Sequence, residues 1–184
     1  MSEHRLPASL TPHPAVILAV DPGQKSGWAI FVGGELRDFG KGDTRDARLS
    51  SIVKAIRLES ATNMRLVIVG ESWTASRNAK ADKRMNARTL AGLGASWGLW
   101  LAAIEQAGFP KRRVIRCPQI EWKRAIVGSA YASHDTAIAT VKRRHKVEGS
   151  DDEMAAIAIG EWATRAARVG ALMPKVRAKR ARAA

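Results

Sequence analysis

Ala15–Val20 is an unbroken apolar run that ends on Asp21-Pro22-Gly23, so the chain predicts a buried strand entering a turn. Gly27–Val32 reads as a second strand, Gly33-Gly34 as a hairpin turn, and Glu35–Gly40 as the returning third. Asp46–Ser60 then sets Leu49, Ile52, Val53 and Ile56 at helical spacing. Arg65–Gly70 holds the run Leu66-Val67-Ile68-Val69, a fourth strand that delivers Glu71 at its end.

A long helix is predicted from Lys83 to Ala107. Leu90, Leu93, Trp97, Leu101 and Ile104 recur along it at steps of three and four. Beside that stripe lie Ala87, Ala91, Gly94, Ala95 and Gly98, small enough to let another element approach closely. Trp100 adds a further apolar face, which a second copy of the helix would cover. Val114–Cys117 is a fifth strand, stopped by Pro118, and short helices follow at Ile120–Val127 and Thr136–Arg144. Ser150 or Asp151 caps a last helix whose Ile157, Ile159, Trp162 and alanines face the core. Three antiparallel strands, a helix, a strand, a long helix, a strand and more helices make a mixed α/β layer arrangement. It forms one domain over residues 15–169, between a loose, proline-bearing arm (1–14) and a basic, disordered tail (170–184).

Composition narrows the class. A chain of 184 residues is long enough for one domain with a substantial core. The single cysteine, Cys117, excludes a disulfide scaffold. No run reaches the roughly 18–20 apolar residues of a membrane span. Met1–Leu10 lacks the basic start and apolar stretch of a secretory signal. The expectation is a cytosolic protein without a membrane. Thirty-one Lys and Arg against 17 Asp and Glu give a formal charge of +14, which points to a polyanionic partner. The cations cluster at Arg77–Arg88 (with Lys80, Lys83 and Arg84), Lys111–Arg116, Lys123–Arg124, Lys142–Lys146 and in the tail. Solvated surface explains many such runs singly. Several of them with few compensating acids favour nucleic acid, whose phosphates attract Lys and Arg whatever the sequence.

With so few acids, each can be weighed. Asp21 ends the first strand, Glu71 ends the fourth, and Asp151 and Asp152 open the last helix. If the first and fourth strands are parallel neighbours, Asp21 and Glu71 emerge at one sheet edge, and a helix start crossing that edge adds a third carboxylate. Such a cluster repels itself unless cations sit in it, and hard oxygen ligands suit Mg²⁺. Taken singly, Asp21 is also a turn former, Glu71 a strand-end charge, and Asp151 or Asp152 a helix cap. Only their joint placement points to chemistry.

Asp21-Pro22-Gly23 followed by Ser26-Gly27-Trp28-Ala29 resembles the first strand and hairpin of the RuvC family of Holliday junction resolvases, within the RNase H-like superfamily. The likeness continues through Glu71-Ser72-Trp73, the long helix, Pro118, Trp122-Lys123-Arg124-Ala125-Ile126-Val127-Gly128, and Asp152-Glu153-Met154-Ala155-Ala156-Ile157-Ala158-Ile159, roughly residues 15–165. It implies an RNase H-like α/β fold with a five-stranded mixed sheet. It also implies a Mg²⁺-dependent endonuclease, with two ions per site and Mn²⁺ as a substitute, that cuts four-way DNA junctions and leaves 5′-phosphate and 3′-hydroxyl ends. A homodimer through the 83–107 helix is implied too, in the cytoplasm of a bacterium or a phage-infected cell.

By the same resemblance, Asp21 and Glu71 match the first two metal-binding carboxylates, and Asp152, with Asp151 beside it, the third. Lys123 matches a lysine near the scissile phosphate, and His134 stands at the family's next basic position. Trp73 matches an aromatic beside the junction, and Arg77, Lys80, Lys83, Arg84 and Arg124 are expected DNA contacts. The family's fourth carboxylate falls on Ala155, which binds no metal. Either Asp151 or Asp152 with Glu153 suffices, or alanine replaces an aspartate there and the chain is silent; the matching flanks favour the second. Three rivals remain: a junction-binding protein of the same fold that does not cut, a primer-removing ribonuclease H, and a phosphate-binding hairpin of the sugar kinase and actin kind. The last needs two such domains and far more chain.

Overall fold

A computed structural model of the chain describes residues 15–23, 25–72, 87–110 and 114–168. The arm, the tail, Trp73 and the basic residues Arg77, Lys80, Lys83 and Arg84 lie outside the described residues. In chain order the elements are β1 (Ala15–Asp21), β2 (Gly27–Val32), β3 (Glu35–Lys41), α1 (Arg45–Thr62), β4 (Arg65–Ser72), α2 (Ala87–Gln106), β5 (Val114–Pro118), α3 (Gln119–Val127), α4 (His134–His145) and α5 (Asp151–Arg168). They form an α/β fold around one five-stranded mixed sheet of order β3-β2-β1-β4-β5. β1, β2 and β3 pair antiparallel, turning at Gly33 and Gly34, both at positive φ. β4 pairs parallel with β1, and β5 parallel with β4.

β1 is apolar at every position before Asp21 because it is covered on both faces. Ile17 and Ala19 face a cluster built with α3, α4 and α5. Val16, Leu18 and Val20 face a second cluster built with α1 and α2. Charged side chains knit the first layer together as well. Glu161 on α5 accepts from His145 Nε2 at 2.7 Å and from Arg144, which also donates to the Ile126 carbonyl at 3.0 Å. That network ties the ends of α3 and α4 to α5, and its buried acid is paired, as burial requires.

Two helical faces differ from their sequence patterns. On α1 the buried positions are Arg48, Ser51, Ile52 and Ala55, while Val53 is 39% exposed. Arg48 is tolerated inside because it donates to the Asp43 carbonyl at 3.1 Å and its guanidinium lies 5.9 Å from the Trp100 ring centroid. On α2 the inward stripe is Leu93, Trp97, Trp100 and Ile104. Trp100 is fully buried rather than forming a separate outer face, because its ring fills the space beside Gly42. Leu101 is half-buried, and the side chain of Leu90 lies outside the described ones. Outward, among the described side chains, α2 presents Ala91, Gly94, Ala95, Gly98, Leu99 and Ala102, and then Glu105 and Gln106 at its end.

Candidate active site

The β1–β4 register pairs Val20 with Gly70, so the next residues of the two strands, Asp21 and Glu71, end side by side at the same sheet edge. Odd-numbered positions of both strands face the α3–α5 layer, and the two carboxylates therefore point beneath the start of α5. Both are buried and share a side-chain hydrogen bond. The second oxygen of Asp21, Oδ1, is buried with no hydrogen-bond partner.

α5 can lie this low because β2 begins with a glycine. A Cβ on Gly27 would stand 2.1 Å from the Asp152 carbonyl oxygen, so any side chain there would lift the helix start. Gly23 has the same role one step along. A Cβ at Gly23 would lie 2.7 Å from Asp152 Oδ1 and 3.9 Å from Asp21 Oδ1. The partnerless oxygen of Asp21 and an oxygen of Asp152 thus converge on one small space that a side chain would fill. Beneath it, the Gly23 carbonyl accepts from Ser26 Oγ at 3.0 Å and from Ser96 Oγ of α2 at 2.9 Å.

Electrostatics mark the same residues. Burial raises the Asp21 carboxyl well above the usual range, and Glu71 and Asp152 push it further. Burial raises Glu71 to about 7, against the Trp122 and Asp21 hydrogen bonds and Lys123, which pull it down. Asp152 is also raised, first by burial and then by Asp151 and Asp43, with His134 opposing. Three neighbouring acids raised by burial are hard oxygen donors, of the kind that suit Mg²⁺ or Mn²⁺. Among the described residues, no three His, Cys, Asp or Glu side chains stand as a ready-made metal cage.

Trp122, on α3, is the residue that sequence reasoning passed over. It is fully buried and donates from Nε1 to Glu71 Oε1 at 3.0 Å, fixing one face of that carboxylate. Lys123 Nζ lies 5.9 Å from the Trp122 ring centroid, and His134, the first residue of α4, meets the same ring edge-on at 6.2 Å. Lys123 and His134 therefore flank the acid cluster from the α3–α4 side. Asp151 is exposed and touches the cluster only by repulsion. Arg124 is exposed and paired with Glu121 at 3.3 Å. Glu153 is committed elsewhere: its Oε2 takes the Ser150 N–H at 2.8 Å and hydroxyl at 2.7 Å, closing a capping box at the helix start. The signal for Trp122 was its place immediately before Lys123. Nothing local announces the contact of Ser96 with Gly23, which spans 73 residues.

Ala155 lies one turn inside α5 and is 1% exposed, within the apolar cluster that holds Ile157 and Ile159. Ala155→Asp is therefore expected to lower stability in EDTA by about 2–4 kcal/mol, the scale of an unpaired buried polar group. Thermal melting checks it. Recovery on adding Mn²⁺ would make position 155 a lost metal-ligand position; no recovery leaves Ala155 as core packing.

A five-stranded mixed sheet with carboxylates at the ends of its first and fourth strands, crossed by the start of a last helix, is the RNase H-like fold. Within that class the chain is similar in structure to RuvC of Thermus thermophilus. The match has a TM-score of 0.57 at 19% identity and covers 85% of this chain and 97% of that one. T. thermophilus RuvC in complex with Holliday junction substrate matches with a TM-score of 0.58 at 16% identity, over the same shares. The yeast mitochondrial Holliday junction resolvase Ydc2 matches with a TM-score of 0.46 at 10% identity, over 90% of this chain and 82% of that one. No protein-family model and no curated protein sequence matches the chain.

Proposed function

We propose that this protein is a metal-dependent endonuclease that resolves four-way DNA junctions or related branched DNA. The observation that carries the reading is the buried Asp21–Glu71 pair, with the partnerless Asp21 oxygen facing Asp152 over Gly23. The RuvC likeness supports the fold on which that site sits. Asp21, Glu71 and Asp152 would hold Mg²⁺, two ions per site. Mg²⁺ held by these residues would supply Lewis acidity, for activating the attacking water and for stabilising the departing 3′-oxygen. The chain's own residues do the rest. Trp122 fixes the Glu71 carboxylate, Ser26 and Ser96 lock the turn under Asp152, and Lys123 offsets negative charge at the phosphoryl group. His134 offers a second donor to DNA from the start of α4. Arg124, Trp73, Arg77, Lys80, Lys83 and Arg84 extend the DNA surface.

A homodimer through α2 fits the same reading. Its exposed positions from Ala91 to Ala102 are uncharged, Glu105 following near its end, and among the described residues nothing lies within 4 Å of an ideal Cβ at Gly94 or Gly98, so a second helix can approach closely there. Two sites related by a two-fold axis would make paired cuts across a junction. A non-cutting junction binder of the same fold is the second reading, favoured by Ala155 and by the lack of a ready-made metal cage among the described residues.

A gel assay on a synthetic four-way junction, with and without Mg²⁺, separates the two. Paired symmetric nicks that need Mg²⁺ are expected. Binding should weaken by about 10³-fold or more between roughly 50 and 200 mM salt, as many Lys and Arg contacts release counterions. Tight binding without nicks would leave the binder. Equal affinity for junction and plain duplex would sink both.

A further inference from the structure

Tyr131 is the chain's only tyrosine and is 96% exposed, the most exposed large apolar side chain among the described residues. It stands in the short loop joining α3 to α4. That loop leaves α3 at Gly128, in the left-handed region at φ 78°, and returns to bring His134 against Trp122 beside the acid cluster. It is not a slack connection. Ser129 Oγ accepts the Tyr131 N–H at 3.3 Å, and Ser133 caps α4 by accepting the Thr136 N–H at 3.0 Å. The flanking residues Ser129, Ala130, Ala132 and Ser133 are all small, so nothing shields either face of the phenol ring. Lys123 and Arg124 precede the loop in α3, and His134 follows it as the first residue of α4.

We infer that Tyr131 is a stacking platform for an unpaired or splayed base of the bound DNA, held on a fixed loop beside the candidate active site. The assignment rests on the DNA reading above and adds a contact to it. An aromatic ring presented to water on a hydrogen-bonded loop is a surface on which an unpaired base can stack. Trp73, on a different segment, is no part of this argument.

The test is a four-way junction carrying 2-aminopurine at the branch point, titrated with protein in Ca²⁺ so that binding is read without cleavage. Wild type is expected to change the 2-aminopurine fluorescence on binding. Tyr131→Ala should lose that change and weaken junction binding by about 5–100-fold, the scale of one stacked base. Its melting temperature should match that of wild type, because the ring touches no core. Tyr131→Phe should keep both the fluorescence change and the affinity, since stacking needs the ring and not the hydroxyl. An alanine variant that binds and alters fluorescence like wild type would overturn the assignment, as would a phenylalanine variant that fails. If wild type itself binds the junction no better than plain duplex, it is the broader nuclease reading that falls.

Discussion

Asp21→Asn is expected to abolish Mg²⁺-dependent junction cleavage, by about 10³-fold or more, while making the metal-free protein more stable. Both effects follow from one geometry. Asp21 is buried, one of its oxygens has no partner, and Glu71 and Asp152 raise its pKa by repulsion. An amide of the same shape removes that repulsion, and an active site is where a fold tolerates such strain for the sake of activity. A gain of about 1 kcal/mol would raise the melting temperature by roughly 2–4 °C in a domain of this size. The amide also removes a hard anionic ligand, and metal-supplied stabilisation of the transition state is worth several kcal/mol. Melting in EDTA and single-turnover cleavage in Mg²⁺ measure the two sides. An unchanged or lower melting temperature would mean that the acids are not in conflict, and full cleavage would remove Asp21 from the chemistry.

The second large effect is on pH. Glu71 has a folded pKa of about 7 against an ordinary value of 4.5, so the folded state binds the proton more tightly than the unfolded one. Its contribution is therefore full below about pH 4.5 and is lost as pH rises through 7, a change on the order of 3 kcal/mol. Asp21 and Asp152 shift in the same direction and add to the loss. Glu161 runs the other way. Its carboxyl is held low by His145 and Arg144 against its own burial, so its contribution is present at neutral pH and is lost in acid. In EDTA, the melting temperature should fall from about pH 5 to pH 8. Mg²⁺ or Mn²⁺ should restore it at pH 8 and do little at pH 5, where Glu71 holds its proton. A flat profile in EDTA, or equal metal effects at both ends, would contradict the arrangement of the three carboxylates.

Much of the frame is legible from short-range pattern. The apolar run of β1, the Gly33-Gly34 turn and the Leu66–Val69 run each specify a strand without help, because burial on both faces leaves no other use for them. The meeting of Asp21 and Glu71 depends on one topological condition, a parallel β1–β4 pair, which the sheet fulfils. Helix faces are harder. On α2, Trp100 and Leu101 are adjacent, and the periodicity alone allows the inward stripe to be drawn through either. What decides is the space beside Gly42, on a segment distant in sequence. The Trp122–Glu71 bond, 51 residues long in sequence, and the Ser96–Gly23 bond belong to the same kind: pairings with no local signature. Charge, too, points only to a polyanionic partner. Which cation meets which phosphate is a matter of loop placement.

Because the three acids come from the first strand, the fourth strand and the last helix, no partial chain owns the site. During synthesis, β1 and β4 can pair as soon as both have emerged, but Asp152 arrives only with α5, the last of the described elements. The contacts that seat α5, at Gly27 and through Glu161, are long-range and costly to close, so they form late. A chain on which α5 has not yet docked would thus lack the third carboxylate, and on the proposed reading any cutting of DNA would wait for that docking.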